Sequence, residues 1–238
     1  MFQPVIRLPK VYCIRHGQTE WSMNGRHTGS TDLDLTEEGE KLTVESSSKL
    51  VGRGKILDRD LISNVLISPR RRARRTFELL FKTDLNSSNN DSLKVEVSED
   101  VREWTYGDYE GLLKHEVAEM RKKKGLKSGR AGWDIWVDGC EGGESVEDLT
   151  ARVDLVVEKV KKLHRDWVND ENRKVDDRGG DVLIVTHGHF SRCFIARWLG
   201  LPLNQGSLFS VDTGSVTVGK YYHDLDFPIL GGLNILGF

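Results

Sequence analysis

Two apolar runs at opposite ends of the chain both finish in a His-Gly unit. Val11-Tyr12-Cys13-Ile14 leads into Arg15-His16-Gly17, and Val182-Leu183-Ile184-Val185 leads into Thr186-His187-Gly188-His189. Short apolar runs that end at glycine read as strands buried on both faces, the kind found in parallel sheets. In open α/β sheets, ligands bind beyond the carboxyl ends of the strands. Two such strand ends, carrying a guanidinium and two imidazoles, predict one phosphate pocket at a single sheet edge. Gly17, with no Cβ, lets backbone or phosphate come close to His16.

Further strand-like runs fall at 65–68, 93–97 and 216–222, with helical patterns at 36–50, 72–81, 113–124, 145–167 and 190–199. The longest repeats Val146, Leu149, Val153, Val156, Val160, Leu163 and Trp167 every three or four residues behind a Ser145/Asp148 capping pair, the pattern of a helix with one buried face. Alternating strands and helices predict an α/β fold: a three-layer α/β/α arrangement with a mostly parallel sheet and helices on both faces. The polar stretches 86–92 and 169–180 read as surface loops. At 238 residues and 37% hydrophobic content, the chain can bury a full core as one domain.

A formal net charge of −2 supplies no overall field for nucleic acid or an anionic membrane, so anion binding is expected to be local. No run is long enough to cross a bilayer, and residues 1–10 lack the layout of a signal peptide, which points to the cytoplasm. Cys13, Cys140 and Cys193 are odd in number and widely spaced, so they read as reduced structural thiols. His27, His115, His164 and His223 have no partners at metal spacing and read as solvated or locally bonded imidazoles. No metal site is predicted.

A third apolar run, Val65-Leu66-Ile67, enters Ser68-Pro69-Arg70-Arg71-Arg72-Ala73-Arg74-Arg75-Thr76, five arginines at a helix start. Helix N-termini attract anions and arginine matches phosphate oxygens, yet cations in a first turn oppose the helix dipole. At least one therefore needs a ligand in compensation. Arg72 is the pocket candidate, on a stripe with Arg75, Thr76 and Leu79; Arg70, Arg71 and Arg74 read as a solvated face. Downstream, Arg102-Glu103-Trp104-Thr105-Tyr106-Gly107-Asp108-Tyr109-Glu110-Gly111 mixes carboxylates with aromatics. An aromatic neighbour such as Trp104 excludes water from Glu103, the environment a general acid near neutrality needs. By position alone Glu99, Asp100, Asp108 and Glu110 are equally available.

These parts suit phosphoryl transfer. Neutral His16 would attack phosphorus in line while Arg15, Arg72 and His187 hold the non-bridging oxygens. Glu103 would protonate the leaving alkoxide, then take a proton from the water that hydrolyses the phosphohistidine. Cationic side chains would neutralise charge that a metal handles elsewhere, so no cofactor is expected.

Six motifs occur in order: 15–21 (Arg-His-Gly-Gln-Thr-Glu-Trp), 28–39, Ser68-Pro69 through Thr76, Arg102-Glu103, Gly143-Glu144-Ser145, and Thr186-His187-Gly188-His189. Together they resemble the histidine phosphatase superfamily, the phosphoglycerate mutase-like fold. The resemblance implies His16 as nucleophile, Arg15, Arg72 and His187 as phosphate ligands and Glu103 as acid and base. It is also what selects Arg72 among the arginines and Glu103 among the acids. It implies one domain over 1–238 with a cap inserted at about 104–142, and Gln18, Ser22, Thr28, Gly29, Tyr106 and Gly188 as substrate contacts. His189, beside the pocket, is a further substrate contact or a group that orients His187.

Within the superfamily, 102–111 and 134–140 are similar to fungal-type sedoheptulose 1,7-bisphosphatases, and 188–203 to small bacterial-type acid phosphatases. Family mutases carry Asn six residues after the nucleophile, where this chain has Ser22, and that departure favours hydrolysis. The expected activity is a metal-independent phosphatase for a sugar phosphate, with sedoheptulose 1,7-bisphosphate as best guess. The alternatives are a broad-specificity acid phosphatase, a phosphoglycerate mutase and a non-catalytic phosphoryl-ligand binding module. Within the cap, Arg121-Lys122-Lys123-Lys124-Gly125-Leu126-Lys127-Ser128-Gly129-Arg130 holds six basic residues in ten, either a grip for a distal phosphate or a solvated face. Trp133, Trp136 and Cys140 either shape the cap or form its small core. The expected partner is a small phosphorylated substrate, a sugar bisphosphate, with no nucleic acid or membrane; a homo-oligomer is an expectation of the family alone.

Overall fold

The computed structural model describes residues 7–85, 93–126, 132–172 and 178–238. The expected loop 86–92, residues 173–177 of the loop 169–180, and residues 127–131 of the cap lie outside the described residues. Strands β1 (Val11–Arg15), β2 (Ile62–Ile67), β3 (Lys94–Val97), β4 (Asp181–Thr186), β5 (Val216–Tyr221) and β6 (Pro228–Ile235) form one sheet in the order β3-β2-β4-β1-β5-β6. The first four pair in parallel, while β5 and β6 run antiparallel at one edge. The sheet is thus mixed, and β6 is an addition to the sequence reading. Pro228 and the Gly231-Gly232 pair look like breakers in sequence. A proline at the first residue of an edge strand, however, leaves no ladder bond unmade.

Helices α1 (Glu20–Asn24), α2 (Glu37–Leu50), α3 (Arg71–Phe81), α4 (Lys114–Lys123), α5 (Ile135–Asp138), α6 (Val146–Val168) and α7 (Gly188–Trp198) surround the sheet. Side chains alternate along each strand, which divides the core in two. Tyr12, Ile14, Val65, Ile67, Leu183 and Val185 pack with Phe77 and Leu80 of α3 on one face. Val11, Cys13, Leu66, Val182 and Ile184 pack with Leu149, Val153 and Val156 of α6 and Phe190 and Phe194 of α7 on the other. Trp104, Tyr106, Tyr109, Val117, Trp133, Ile135 and Cys140, from the segment expected to form a cap, belong to this second cluster, so these residues are part of the main core. His164 on α6 is fully buried, its Nδ1 2.8 Å from Tyr221 Oη. Burial lowers its pKa to about 4, so of the two readings, solvated or locally bonded, this imidazole takes the second. Among the described residues no helix is long and apolar enough to cross a membrane.

One buried ion network fixes the segment on which the acid candidate sits. Arg152 of α6 donates from Nε and Nη2 to the Glu144 carboxylate at 2.7 and 2.8 Å, and from Nη1 to the Asp100 and Arg102 carbonyls, both at 2.9 Å. Its Nη2 also reaches Glu103 O at 3.3 Å. Glu144 in turn accepts from Arg102 Nη2 and from the Thr105 N–H at 2.9 and 2.8 Å. Burial alone would raise the Glu144 carboxyl; the Arg152 contact, with Thr105 and Arg102, brings it below the usual range instead. Removing one partner of a buried pair strands the other charge. Glu144→Ala is accordingly expected to cost about 3–5 kcal/mol, measured as a lower urea midpoint. A loss below about 1 kcal/mol would show that the network does not hold this segment.

Candidate active site

In the β1–β4 register Arg15 lies opposite Thr186, so the next residues, His16 and His187, emerge side by side with ring centroids 5.1 Å apart. His16 is 5% exposed, and its Nδ1 lies 2.7 Å from Gly17 O. That contact makes Nδ1 the protonated nitrogen and leaves the Nε2 lone pair free. Burial first, then the charges of Arg72 and Arg15, holds the imidazole well below its ordinary pKa, so it is neutral and nucleophilic at physiological pH. Gly17 is required for a different reason from the one expected. A Cβ there would lie 2.8 Å from Thr43 Oγ1, so the close approach is to α2. Its N–H donates to Thr76 Oγ1 at 2.9 Å. Arg15 donates from Nη1 to Val211 O at 2.8 Å, while its buried Nε has no partner.

Arg72, fully buried on α3, points at the site from behind. Its Nε donates to His187 Nδ1 at 3.2 Å, its Nη1 to Thr31 O at 2.8 Å, and its Nη2 to Thr28 O and Gly29 O at 3.0 and 3.1 Å. These carbonyls compensate a cation opposed to the helix dipole. The 28–31 loop offers them because Glu110 accepts from Gly29 N at 2.9 and 3.1 Å and from Thr31 N at 2.9 Å. A Cβ on Gly29 would lie 2.5 Å from Trp104 O. His187 Nε2 sits 2.7 Å from Ser68 Oγ, and burial with the Arg72 charge keeps this imidazole neutral too. The inward stripe of α3 is Arg72, Ala73, Thr76, Phe77 and Leu80. Arg75 is not on it: it is exposed and paired with Glu40 at 2.6 Å, because i+3 falls past the edge of this narrow face.

Among these candidate acids, Glu103 is the one at the cavity, whose wall also carries Asp212. Its Oε1 accepts from the N–H groups of Trp104 and Phe190 at 2.9 and 2.8 Å, and its Oε2 from that of His189 at 2.9 Å. Glu103 therefore sits on the N-terminus of α7, the end of a helix that favours an anion. The expected shielding by Trp104 takes another form, since the Trp104 indole donates to Glu144 O at 2.9 Å. Glu99 pairs with Arg70 at 3.7 Å, Asp108 with Lys124 at 3.0 Å, and Asp100 is exposed. His189 Nδ1 lies 2.7 Å from Tyr106 Oη. Burial raises the Tyr106 pKa and lowers that of His189, so a neutral phenol and a neutral imidazole share this hydrogen bond.

Arg15, His16, Ser22, Thr28, Glu103, Tyr106, Gly188 and His189 line one cavity of about 560 Å³. Ser22 Oγ meanwhile caps α1, donating to Thr19 O at 2.8 Å. Gln18 lies elsewhere: its Oε1 accepts from Thr36 Oγ1 at 2.8 Å, and it lines a separate crevice against α2. A side chain one residue past Gly17 turns toward α2, whose Thr36 N-cap it secures. Gly29, Arg72 and His187 stand behind the cavity wall. Of the basic stretch, Arg121 turns inward to Tyr109 Oη at 3.0 Å, to Asp138 at 3.6 Å and to Glu141. Lys124 is held by Asp108, and residues 127–130 lie outside the described residues. The cations that do line the cavity, besides Arg15, are Arg26 and Arg192. His27, read as a solvated or locally bonded imidazole, is locally bonded, its Nδ1 2.8 Å from Leu112 O, and it lines the cavity as well. Its place inside Arg26-His27-Thr28-Gly29 was the available signal. Residues 207–212 complete the wall without any motif.

The family model of the histidine phosphatase superfamily (branch 1) matches residues 11–227. The chain is 36% identical to sedoheptulose 1,7-bisphosphatase of Saccharomyces cerevisiae over 97% of its own length and 88% of that protein's. It is 34% identical to an acid phosphatase of Mycobacterium tuberculosis over 95% and 94% of the two chains. A solved structure of a Mycobacterium tuberculosis open reading frame superposes with a TM-score of 0.72 at 31% identity, covering 98% of this chain and 100% of that one. With the paired strand ends, the neutral buried imidazole and a match across the sheet and its helices, the chain belongs to the histidine phosphatase superfamily, as a phosphoric monoester hydrolase.

Proposed function

We propose that the protein hydrolyses a phosphate monoester of a small sugar through a phosphohistidine at His16, with sedoheptulose 1,7-bisphosphate as the preferred substrate, and that it works in the cytoplasm. The observation that carries the chemistry is His16 itself. It is neutral, tied through Nδ1 to Gly17 O, and shares one cavity with Arg15 and Glu103. Attack of Nε2 on phosphorus breaks the ester P–O bond, and the alkoxide takes the Glu103 proton. Glu103 then takes a proton from water, whose oxygen attacks phosphorus as the P–N bond breaks, releasing phosphate and neutral imidazole. The unpartnered Nε–H of Arg15 is a ready donor for a non-bridging oxygen. Arg72 and His187 act from behind, through positive charge and by fixing Thr28 and Ser68 at the wall. The sugar bisphosphate assignment draws on the 36% identical relative and on a cavity of about 560 Å³, within the range that holds small metabolites.

Phosphate release should be measured on sedoheptulose 1,7-bisphosphate, fructose 1,6-bisphosphate, 3-phosphoglycerate and p-nitrophenyl phosphate. Fastest turnover is expected on the seven-carbon bisphosphate, and His16→Ala should lower it at least a thousandfold with an unchanged melting curve. Near wild-type rates in that variant would sink the mechanism, and isomerisation of 3-phosphoglycerate without release would make the protein a mutase. The depressed pKa of His16 has a sign that can be checked. Between its folded pKa and about 6.5 the imidazole stays neutral, so its NMR resonance should not titrate from pH 7.5 to 6. A midpoint near 6.5 would show a solvated imidazole instead.

A further inference from the structure

We propose that Asn234 is a positioning residue for Arg15: it holds the Asp212 carboxylate away from that guanidinium, so that the unpartnered Arg15 Nε–H stays open to phosphate. The inference rests on the reading above that Arg15 receives the phosphoryl group. Asn234 lies on β6 and does not itself line the cavity. Between the pairs Val216–Ile235 and Val218–Gly232, β6 has two residues where β5 has one. Leu233 and Asn234 therefore form a bulge, and bulges beside functional sites re-aim side chains. Asn234 has a φ of +55°, in the left-handed region that asparagine enters more readily than most residues. This backbone sends its amide back toward the 211–215 loop.

There the amide makes two reciprocal bonds. Its Oδ1 accepts from the Asp212 N–H at 2.6 Å, and its Nδ2 donates to Asp212 Oδ2 at 2.7 Å. A carboxylate needs a donor and a backbone N–H an acceptor, and a side-chain amide supplies both at once. The loop held in this way grips the reacting end of β1. Val211 O accepts from Arg15 Nη1 at 2.8 Å, and the Gly214 N–H reaches the Arg15 and His16 carbonyls, both at 3.1 Å. Asp212 directly follows Val211 and shares the cavity wall with Arg15. Burial lowers the Arg15 pKa, and Asp212 is among the negative charges near enough to oppose that shift. Yet the two do not pair: among the described residues no carboxylate lies within ion-pair distance of Arg15, and its Nε has no partner. A buried cation with an open donor would capture a freely rotating carboxylate beside it through a charge-assisted bond. By engaging Oδ2, the Asn234 amide keeps that carboxylate out of the place the phosphate needs.

The test is calorimetric binding of inorganic phosphate to the full chain and its variants. Asn234→Gly keeps the left-handed backbone but removes the clasp, and its Kd should rise about tenfold or more. Asn234→Asp has the same shape but sets a carboxylate where the donor was. It should weaken binding at least as much, and it decides the matter if the glycine variant does not fold. Asp212→Ala should then tighten binding about tenfold more in either Asn234 background than in wild type, because only there has the carboxylate taken the phosphate's place. A loop merely loosened by loss of the clasp would be loosened further by this second change, and binding would not recover. Wild-type affinity in the Asn234 variants, or the same Asp212→Ala effect in every background, would overturn the proposal. Wild-type affinity in Arg15→Ala would show that Arg15 does not hold the phosphate, and the reading beneath the proposal would fall with it.

Discussion

The contact between the Glu103 carboxylate and the first amides of α7 is the constraint on which the site depends. It joins a loop to a helix through two N–H donors, those of His189 and Phe190, and from that helix come Gly188, His189 and Arg192, directly after His187 at the end of β4. Neither partner is self-supporting. The loop is held by Arg152 and Glu144, and Arg152 also lies over the Phe190 ring, Cζ 5.4 Å from its centroid, at the start of α7. One buried guanidinium thus touches both halves of the junction.

The same economy governs charge around His16. Two arginines and two neutral imidazoles crowd a region with almost no solvent, and the arginines are stabilised by carbonyl dipoles in place of carboxylates. Carbonyls orient a cation without cancelling it, so the positive potential survives for a dianionic substrate. Burial first, and that potential with it, keeps the imidazoles unprotonated. Nucleophile and anion trap are therefore one electrostatic arrangement.

Much of this was legible in sequence because it is carried by strand ends. Runs that stop at His-Gly must deliver those histidines to a common edge when the strands are parallel neighbours, as β1 and β4 are. The long α6 was visible in its periodicity. What was hidden depends on partners far away in the chain. Gln18 looks like a pocket residue until α2 claims it through Thr36, and Arg121 looks like a free cation until Glu141 and Asp138 are placed beside it. β6 was obscured by its glycines, and the wall at 207–212 carries no pattern at all.

Trp104, Tyr109 and Trp133 come from the cap region yet sit in the core that covers one face of the sheet. Aromatic side chains bury roughly 150–250 Å² each, so lifting the cap away as a rigid body would expose enough apolar surface to cost on the order of ten kcal/mol. That is comparable to the whole stability of an ordinary domain. The segment thus acts as masonry for the core where a hinged door would have been the simpler guess. Changes of substrate preference in such a protein are confined to residues that line the cavity without supporting the core.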